Sequence, residues 1–592
     1  MPHAPRRLCP RGIRALTALG MAALIALAAP LHAQTRADPE AASGWAARPL
    51  ATAGRHMIAA AHPMAAEAGR EMLRRGGSAA DAAVAALLVL NVVEPQSSGL
   101  GGGAFALVHG AGGLTTYDAR ETAPMAATPD LFLEDGAPLD FDTAVASGRS
   151  VGVPGLARLI EVLHARHGRL PWADLFAPAI GLARDGFAVS PRLAASVAAY
   201  AERLADTDAG AVFLPGGVPI AEGAILRQPA LAATLERLAA EGAGALYRLP
   251  LAGEIVAAAR RGARPGALDL PDLAAYEVIE RAPACIDYRA IWRICGMGPP
   301  SSGATTVGQI LGIMDWVGVS GLGLDSPRLW HLFAEASRLA YADRGRYLAD
   351  PDQVRVPLRG LLDAGYLRAR ARLVPRFRAS EGAAEAGTPP WREAAVYAPG
   401  LHEGRPGTTH LSVADGEGLA VSVTASIETA FGSGRMAGGF LLNNQLTDFS
   451  FRPAGADGAP IANAPGPGKR PRSSMAPTIA YRLDAPGVPA VIAGSPGGAR
   501  IPEYVAGALI AILDHGLDPA AAVARGHVSQ RNTGKVTLEA GASAPGLGPA
   551  LEAMGHEVAT AEMTSGLHIL IRTATGWAGG ADPRREGVAL GD

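Results

Sequence analysis

Two runs of alternating apolar and polar residues, joined by Asp415-Gly416-Glu417-Gly418, constrain this chain more tightly than any other feature. Thr409 to Ala414 alternates with period two, and Leu419 to Thr424 does so again. The pattern predicts an antiparallel hairpin centred near Gly416-Glu417, in which paired residue numbers sum to about 833. That register sets Thr408 opposite position 425, give or take one, and brings Ser426 beside it. A threonine hydroxyl is a weak nucleophile unless a base lies next to it. A threonine that becomes a new N-terminus carries that base as its own α-amino group, whose pKa is roughly 8. The Gly407-Thr408 junction therefore reads as a place where a precursor cuts itself, and a Ser426 hydroxyl at that register can orient the Thr408 hydroxyl.

The 592 residues are 49% hydrophobic, enough for a large buried core; the length permits several domains, and single large α/β units also reach it. A net charge of -2 offers no basic patch for nucleic acid and no acidic tail. Arginine replaces lysine nearly everywhere; Lys469 and Lys535 are the exceptions. Arg6, Arg7, Arg11 and Arg14, the apolar stretch Leu16 to Ala29, and Ala33 before Gln34 together read as an export signal over residues 1–33. The expected location is periplasmic or secreted, with no membrane attachment once the signal is removed. Cys9 leaves with the signal. Cys285 and Cys295 remain as an even pair, and a bridge across a short hairpin is the expected structural use of them in an oxidising compartment.

Ser78 caps a predicted helix from Ala79 to Asn91, and a second helix is predicted from Pro327 to Tyr341. Pro95 to Gly103 reads as a Ser- and Gly-rich loop. Residues 378–407 are rich in Gly, Ala, Pro and Glu, and their latter part reads as a mobile segment leading into the cut site. Ala490 to Ala493 reads as a strand, Gly494-Ser495-Pro496-Gly497-Gly498 as a tight turn, and Ile501 to Asp514 as a helix. A glycine turn at a helix N-terminus leaves backbone N–H groups pointing outward, suited to the oxygen of a tetrahedral intermediate.

Taken together these residues resemble the γ-glutamyltransferase family of N-terminal-nucleophile hydrolases, from about Ala59 to Arg585. The likeness is carried by Glu94 to Gly103, Asp118 to Pro124, Pro299 to Gly303 and Tyr341 to Arg344. It continues through the Thr408 junction, Leu441 to Gln445, Lys469 to Met475 and Gly494 to Gly498. The resemblance implies a four-layer αββα fold. It also implies a precursor that cuts itself into a large chain, 34–407, and a small chain, 408–592, which stay interlocked as a heterodimer. Within the family pattern Thr408 matches the nucleophile, and Ser426 stands where a second threonine orients it. Gly497 and Gly498 match the oxyanion hole. Arg120, Ser473 and Ser474 match the residues that hold the substrate α-carboxylate, and Gln445 and Asp448 those that take its α-amino group. The implied substrates are glutathione and other γ-glutamyl compounds, with water, amino acids or peptides as acceptors and no metal or organic cofactor.

Two departures bear on specificity. Glu428 stands where well-known members carry Asn; a carboxylate there pairs with an α-ammonium but repels an α-carboxylate. The segment Phe449 to Gly468, a lid with an aromatic latch in many members, is short and has no tyrosine. Hydrolysis is accordingly expected to outweigh transfer. A glutaryl- or cephalosporin-type acylase is the alternative substrate class, and an exported binding protein that keeps the fold without catalysis is the alternative of another kind. Four further patterns carry no catalytic reading. Ser150 in Gly148 to Gly152 matches G-x-S-x-G but reads as structural. Gly99 to Ala104 matches a dinucleotide fingerprint but follows a helix, so close backbone packing is expected. His410 is assigned to packing or hydrogen bonding, and His331 with Glu335 to a solvated or core-capping pair.

Overall fold

Gly407–Ala414 and Ala420–Glu428 form the expected hairpin, with Thr408 directly opposite Ser426. Its turn is closed by the Asp415 carboxylate, which accepts the N–H groups of Glu417 and Leu419 at 2.9 Å each. These relations come from a computed structural model that describes residue 1 and residues 44–319, 321–391, 397–400 and 407–592. The stretch expected to be an export signal, with Cys9, and residues 392–396 and 401–406 before Gly407 lie outside the described residues. The chain divides into Met1–Ala37 and Asp38–Asp592, and all that follows concerns the second unit.

The hairpin occupies the middle of a seven-stranded antiparallel sheet ordered Val588–Gly591, Met57–Ala60, Gly407–Ala414, Ala420–Glu428, Gly103–Gly110, Gly113–Ala119, Ile279–Arg281. Alternate residues of these strands enter different cores, as the period of two requires. Ile58, Ala60, Ala104, Ala106, Leu411, Val413, Val421 and Val423 meet the helices Pro63–Arg74, Ala79–Val93 and Leu156–His167. Met57, Ala59, Phe105 and Leu107 point the other way, toward a second seven-stranded sheet that supplies Ile286, Ile294, Ile479, Ile492 and Ile569. The outer face of that sheet is covered by Gly303–Val317, Pro327–Tyr347 and Ile501–Leu513. The layers are thus helices, sheet, sheet, helices: the αββα sandwich. Both sheets combine strands from before and after Gly407, so neither side of the junction owns a core of its own.

Local boundaries shift where burial overrides pattern. The Ser78-capped helix runs to Val93 rather than Asn91; Ser78 and Asp81 satisfy each other's backbone N–H in a capping box. The second helix runs to Tyr347 rather than Tyr341, because its last turns are held by buried polar pairs that a hydrophobic period does not register. Asp343 in that extension accepts from Gln309 and from the Tyr366 hydroxyl. The strand read from Ala490 begins at Ala485. Cys285 and Cys295 face each other across the hairpin Ala284–Tyr288 and Trp292–Gly296 and are joined as a disulfide.

Candidate active site

The pairing of the hairpin slips by one residue between Gly407 and Thr408: Thr408 opposes Ser426, but Gly407 opposes Glu428. The irregularity brings three groups together at the junction. The Thr408 hydroxyl donates to Ser426 Oγ at 3.3 Å, and Ser426 Oγ donates its own proton to the Gly407 carbonyl oxygen at 2.7 Å. Ser426 Oγ also accepts the Glu428 N–H at 2.9 Å, which holds its rotamer. One hydroxyl therefore orients the Thr408 oxygen and polarises the neighbouring carbonyl. A Cβ on Gly407 would stand 2.6 Å from the Thr429 carbonyl carbon and 2.8 Å from the Glu428 oxygen, both backbone atoms, so a side chain does not fit there.

Behind the hairpin lies the glycine-rich loop. A Cβ on Gly102 would come within 2.2 Å of the Ser426 carbonyl oxygen, and one on Gly101 within 2.0 Å of the Leu441 oxygen. Close backbone approach is what these glycines permit.

Arg120 is fully buried. It donates to the carbonyls of Pro471 and Arg472 and forms a short ion pair with Asp448. Asp448 also accepts from Gln445 Nε2 at 2.9 Å. Arg120, Asp448 and Gln445 thus form one cluster, and the Pro471 and Arg472 contacts carry Ser473 and Ser474 alongside it. The two serines face different partners. Ser473 Oγ accepts the Met475 N–H, while Ser474 Oγ accepts from Arg344 at 2.7 Å. Glu428 is buried, sits at a φ of 80°, and accepts from Asn444 Nδ2 at 2.6 Å. Burial pushes its carboxyl well above the ordinary range, and the charge of Asp448 pushes the same way; Asn444, Arg120 and Arg203 oppose without prevailing.

The short segment after Asp448 is well anchored. Phe451 stacks on Phe132 with centroids 4.5 Å apart and lies 6.3 Å from Phe141, an aromatic clasp that a search for tyrosine overlooks. Lys469 Nζ donates to the carbonyls of Ala462 and Ala464, and burial lowers its pKa to about 8.

The turn Gly494 to Gly498 lies at the end of Ala485–Ala493. Gly497 and Gly498 adopt φ values of 132° and 56°. Arg585 links this turn to the junction. It donates to the Thr408 carbonyl at 3.2 Å and to the Ser565 and Thr564 carbonyls, and it packs on Gly566, which also meets Pro496. Burial lowers the Arg585 pKa to about 9. Arg585 carries no local sequence signal, since it acts on residues far away in the chain; Arg344 and Asn444 stand in recognisable stretches, but their contacts with Ser474 and Glu428 depend on the fold. A Cβ on Gly497 would lie 2.4 Å from the Tyr504 ring. Gly497→Ala should therefore displace the turn and lower kcat by roughly 100-fold, the order seen when an oxyanion donor is lost. Steady-state kinetics on the folded variant checks this.

The remaining sequence candidates fall outside this cluster. Ser150 donates to the carbonyls of Val145 and Ser147. His410 is buried between Thr424 and Ser412, and burial holds its pKa well below the usual histidine range. His331 contacts His556 and the Pro375 carbonyl, while Glu335 pairs with Arg338. No group of three or more metal-type side chains is found among the described residues.

Residues 65–592 match the family model described as gamma-glutamyltranspeptidase. The chain is 36% identical to a glutathione hydrolase proenzyme of Bacillus subtilis (strain 168), over 97% of this chain and 98% of the relative. It is also 36% identical to a glutathione hydrolase proenzyme of Escherichia coli (strain K12), over 89% and 90% respectively. Among solved structures, a cephalosporin acylase from Bacillus halodurans superposes with a TM-score of 0.81 at 29% identity, covering 94% of this chain and 99% of that one. With its sandwich and its threonine junction in place, the chain belongs to the gamma-glutamyltranspeptidase family.

Proposed function

We propose that this chain is an exported, self-cleaving enzyme that hydrolyses γ-glutamyl amides such as glutathione through a threonine ester. The observation that carries the reading is the triad of contacts among Thr408, Ser426 and the Gly407 carbonyl. In maturation, Thr408 Oγ1 attacks the Gly407 carbonyl carbon, the C–N bond breaks, and the hydroxyl proton passes to the departing nitrogen. Water then hydrolyses the ester. The products are chains 34–407 and 408–592, interlocked through their shared sheets. The new α-amine of Thr408 is the base for turnover. Thr408 attacks the γ-amide of the substrate, the N–H groups at Gly497 and Gly498 take the oxyanion, and the amine leaves. Water or an acceptor amine then releases the γ-glutamyl group. Arg120, Ser473 and Ser474 anchor the substrate α-carboxylate, while Asp448 and Gln445 receive its α-ammonium.

Burial raises the pKa of the Glu428 carboxyl and so favours its neutral form. A protonated carboxyl offers one O–H donor and one C=O acceptor, much as an amide offers N–H and C=O. This supports retention of γ-glutamyl specificity despite the exchange of Asn for Glu. The short segment 449–468 supports hydrolysis over transfer; partition of a γ-glutamyl donor between water and glycylglycine at neutral pH should favour water, and dominant transfer would contradict it. Export rests on residues 1–33, with a periplasmic or secreted product; no helix of the described residues is long and apolar enough to cross a membrane. The deciding assay is chromophore release from a γ-glutamyl anilide beside the matching glutaryl anilide. A clear preference for the first is expected. Preference for the glutaryl compound would transfer the assignment to the acylase class of the Bacillus halodurans cephalosporin acylase.

A further inference from the structure

The stretch Glu94 to Gly103 lies against the back of the nucleophile hairpin. The Ile427 N–H donates to the Ser97 carbonyl at 3.3 Å, and the Phe431 N–H to the Gln96 carbonyl at 3.1 Å. Glu94 begins this stretch. It terminates the helix Ala79–Val93 and is 3% exposed. A buried carboxylate is costly unless it is paired and hydrogen-bonded. Glu94 Oε1 forms a short ion pair with Arg192, which is fully buried and reaches Ser97 Oγ at 3.3 Å. Glu94 Oε2 accepts the hydroxyl of Thr409 at 3.0 Å. Thr409 follows the nucleophile directly, and along a strand its side chain points to the face opposite Thr408. A threonine held at its hydroxyl has a single χ1 and a fixed backbone. The Thr408 Cα is attached to that backbone.

We propose that Glu94, clamped by Arg192, is a positioning residue: it grips Thr409 from the helix side of the sheet and sets the height and tilt of Thr408 against Ser426 and the Gly407 carbonyl. The inference rests on the threonine mechanism given above. Its physical content is that nucleophile placement is decided on the side of the sheet away from the reaction. Attack depends steeply on geometry, and a displacement of about 1 Å lowers rates by up to ~100-fold. A grip on the adjacent residue constrains the Thr408 oxygen without occupying the substrate space.

Thr409→Val tests it. Valine keeps the shape and the β-branch and removes only the hydroxyl. Relative to wild type, the variant should show a Tm within a few degrees, appearance of the two chains slowed by ~10-fold or more by intact mass, and kcat lowered by a similar factor with KM unchanged. Thr409→Ser, which keeps the hydroxyl, should stay within about twofold of wild type. Glu94→Gln keeps an acceptor for Thr409 but unbalances Arg192, and should fall between them if it folds. Wild-type maturation and kcat in Thr409→Val would overturn the proposal even if Glu94→Gln fails to fold. A rise in KM alone would also overturn it, by assigning the residue to binding. A wild-type chain that is never cut would instead sink the threonine mechanism itself, which separates the two failures.

Discussion

Thr408→Ala should remain a single chain indefinitely and lose on the order of 10⁴-fold or more in γ-glutamyl anilide hydrolysis. The substitution removes one hydroxyl and one methyl group from a strand otherwise paired on both sides. Ser426 keeps its bond to the Gly407 carbonyl, so the carbonyl stays polarised with nothing to attack it. Folding should cost about 1–2 kcal/mol, the range for a lost buried hydrogen bond and a small cavity. Intact mass and a thermal melt on the same sample read both quantities. Thr408→Ser retains the oxygen and should still divide, more slowly, because serine lacks the methyl that locks χ1. Division of the alanine variant at Gly407 would show that another group cuts the chain.

Gly407→Val is the second large effect. The first atom of any side chain at this position meets the backbone of Glu428 and Thr429 closer than a real Cβ contact allows. Those atoms belong to a strand end held by the Asn444 and Arg203 contacts of Thr429, and they do not move cheaply. The junction must instead shift away from Ser426. Maturation should slow by ~100-fold or more, followed as the loss of precursor mass with time. Gly407 leaves the nucleophile once the bond is cut. Activity per mole of divided chain should therefore match wild type, a result that misfolding would not produce. Division at the wild-type rate would contradict the packing argument.

Much of the architecture is legible in residues 407–428. Alternation and the Asp415 turn place Thr408 against the second strand to within one residue, because a period of two allows few registers. The one-residue slip at Gly407 is not legible, since it depends on where the strand end is pinned by Asn444 and the Glu94 loop. Burial of both sheet faces likewise hides helix ends from any amphipathic pattern, and Pro327–Tyr347 is the clear case.

The site divides along the same line. Short-range pattern determined the hairpin, the glycine turn, the capped helix and the cysteine hairpin, because each rests on backbone preferences within a few residues. Tertiary structure alone decided that Ser426 reaches the Gly407 carbonyl, that Arg585 holds the Thr408 carbonyl, and that Glu94 grips Thr409. It also decided the surroundings of Glu428, whose burial raises its carboxyl pKa above the ordinary range. Desolvation and contacts between residues hundreds of positions apart depend on what the finished sandwich packs around each group, and no local stretch of sequence contains that information.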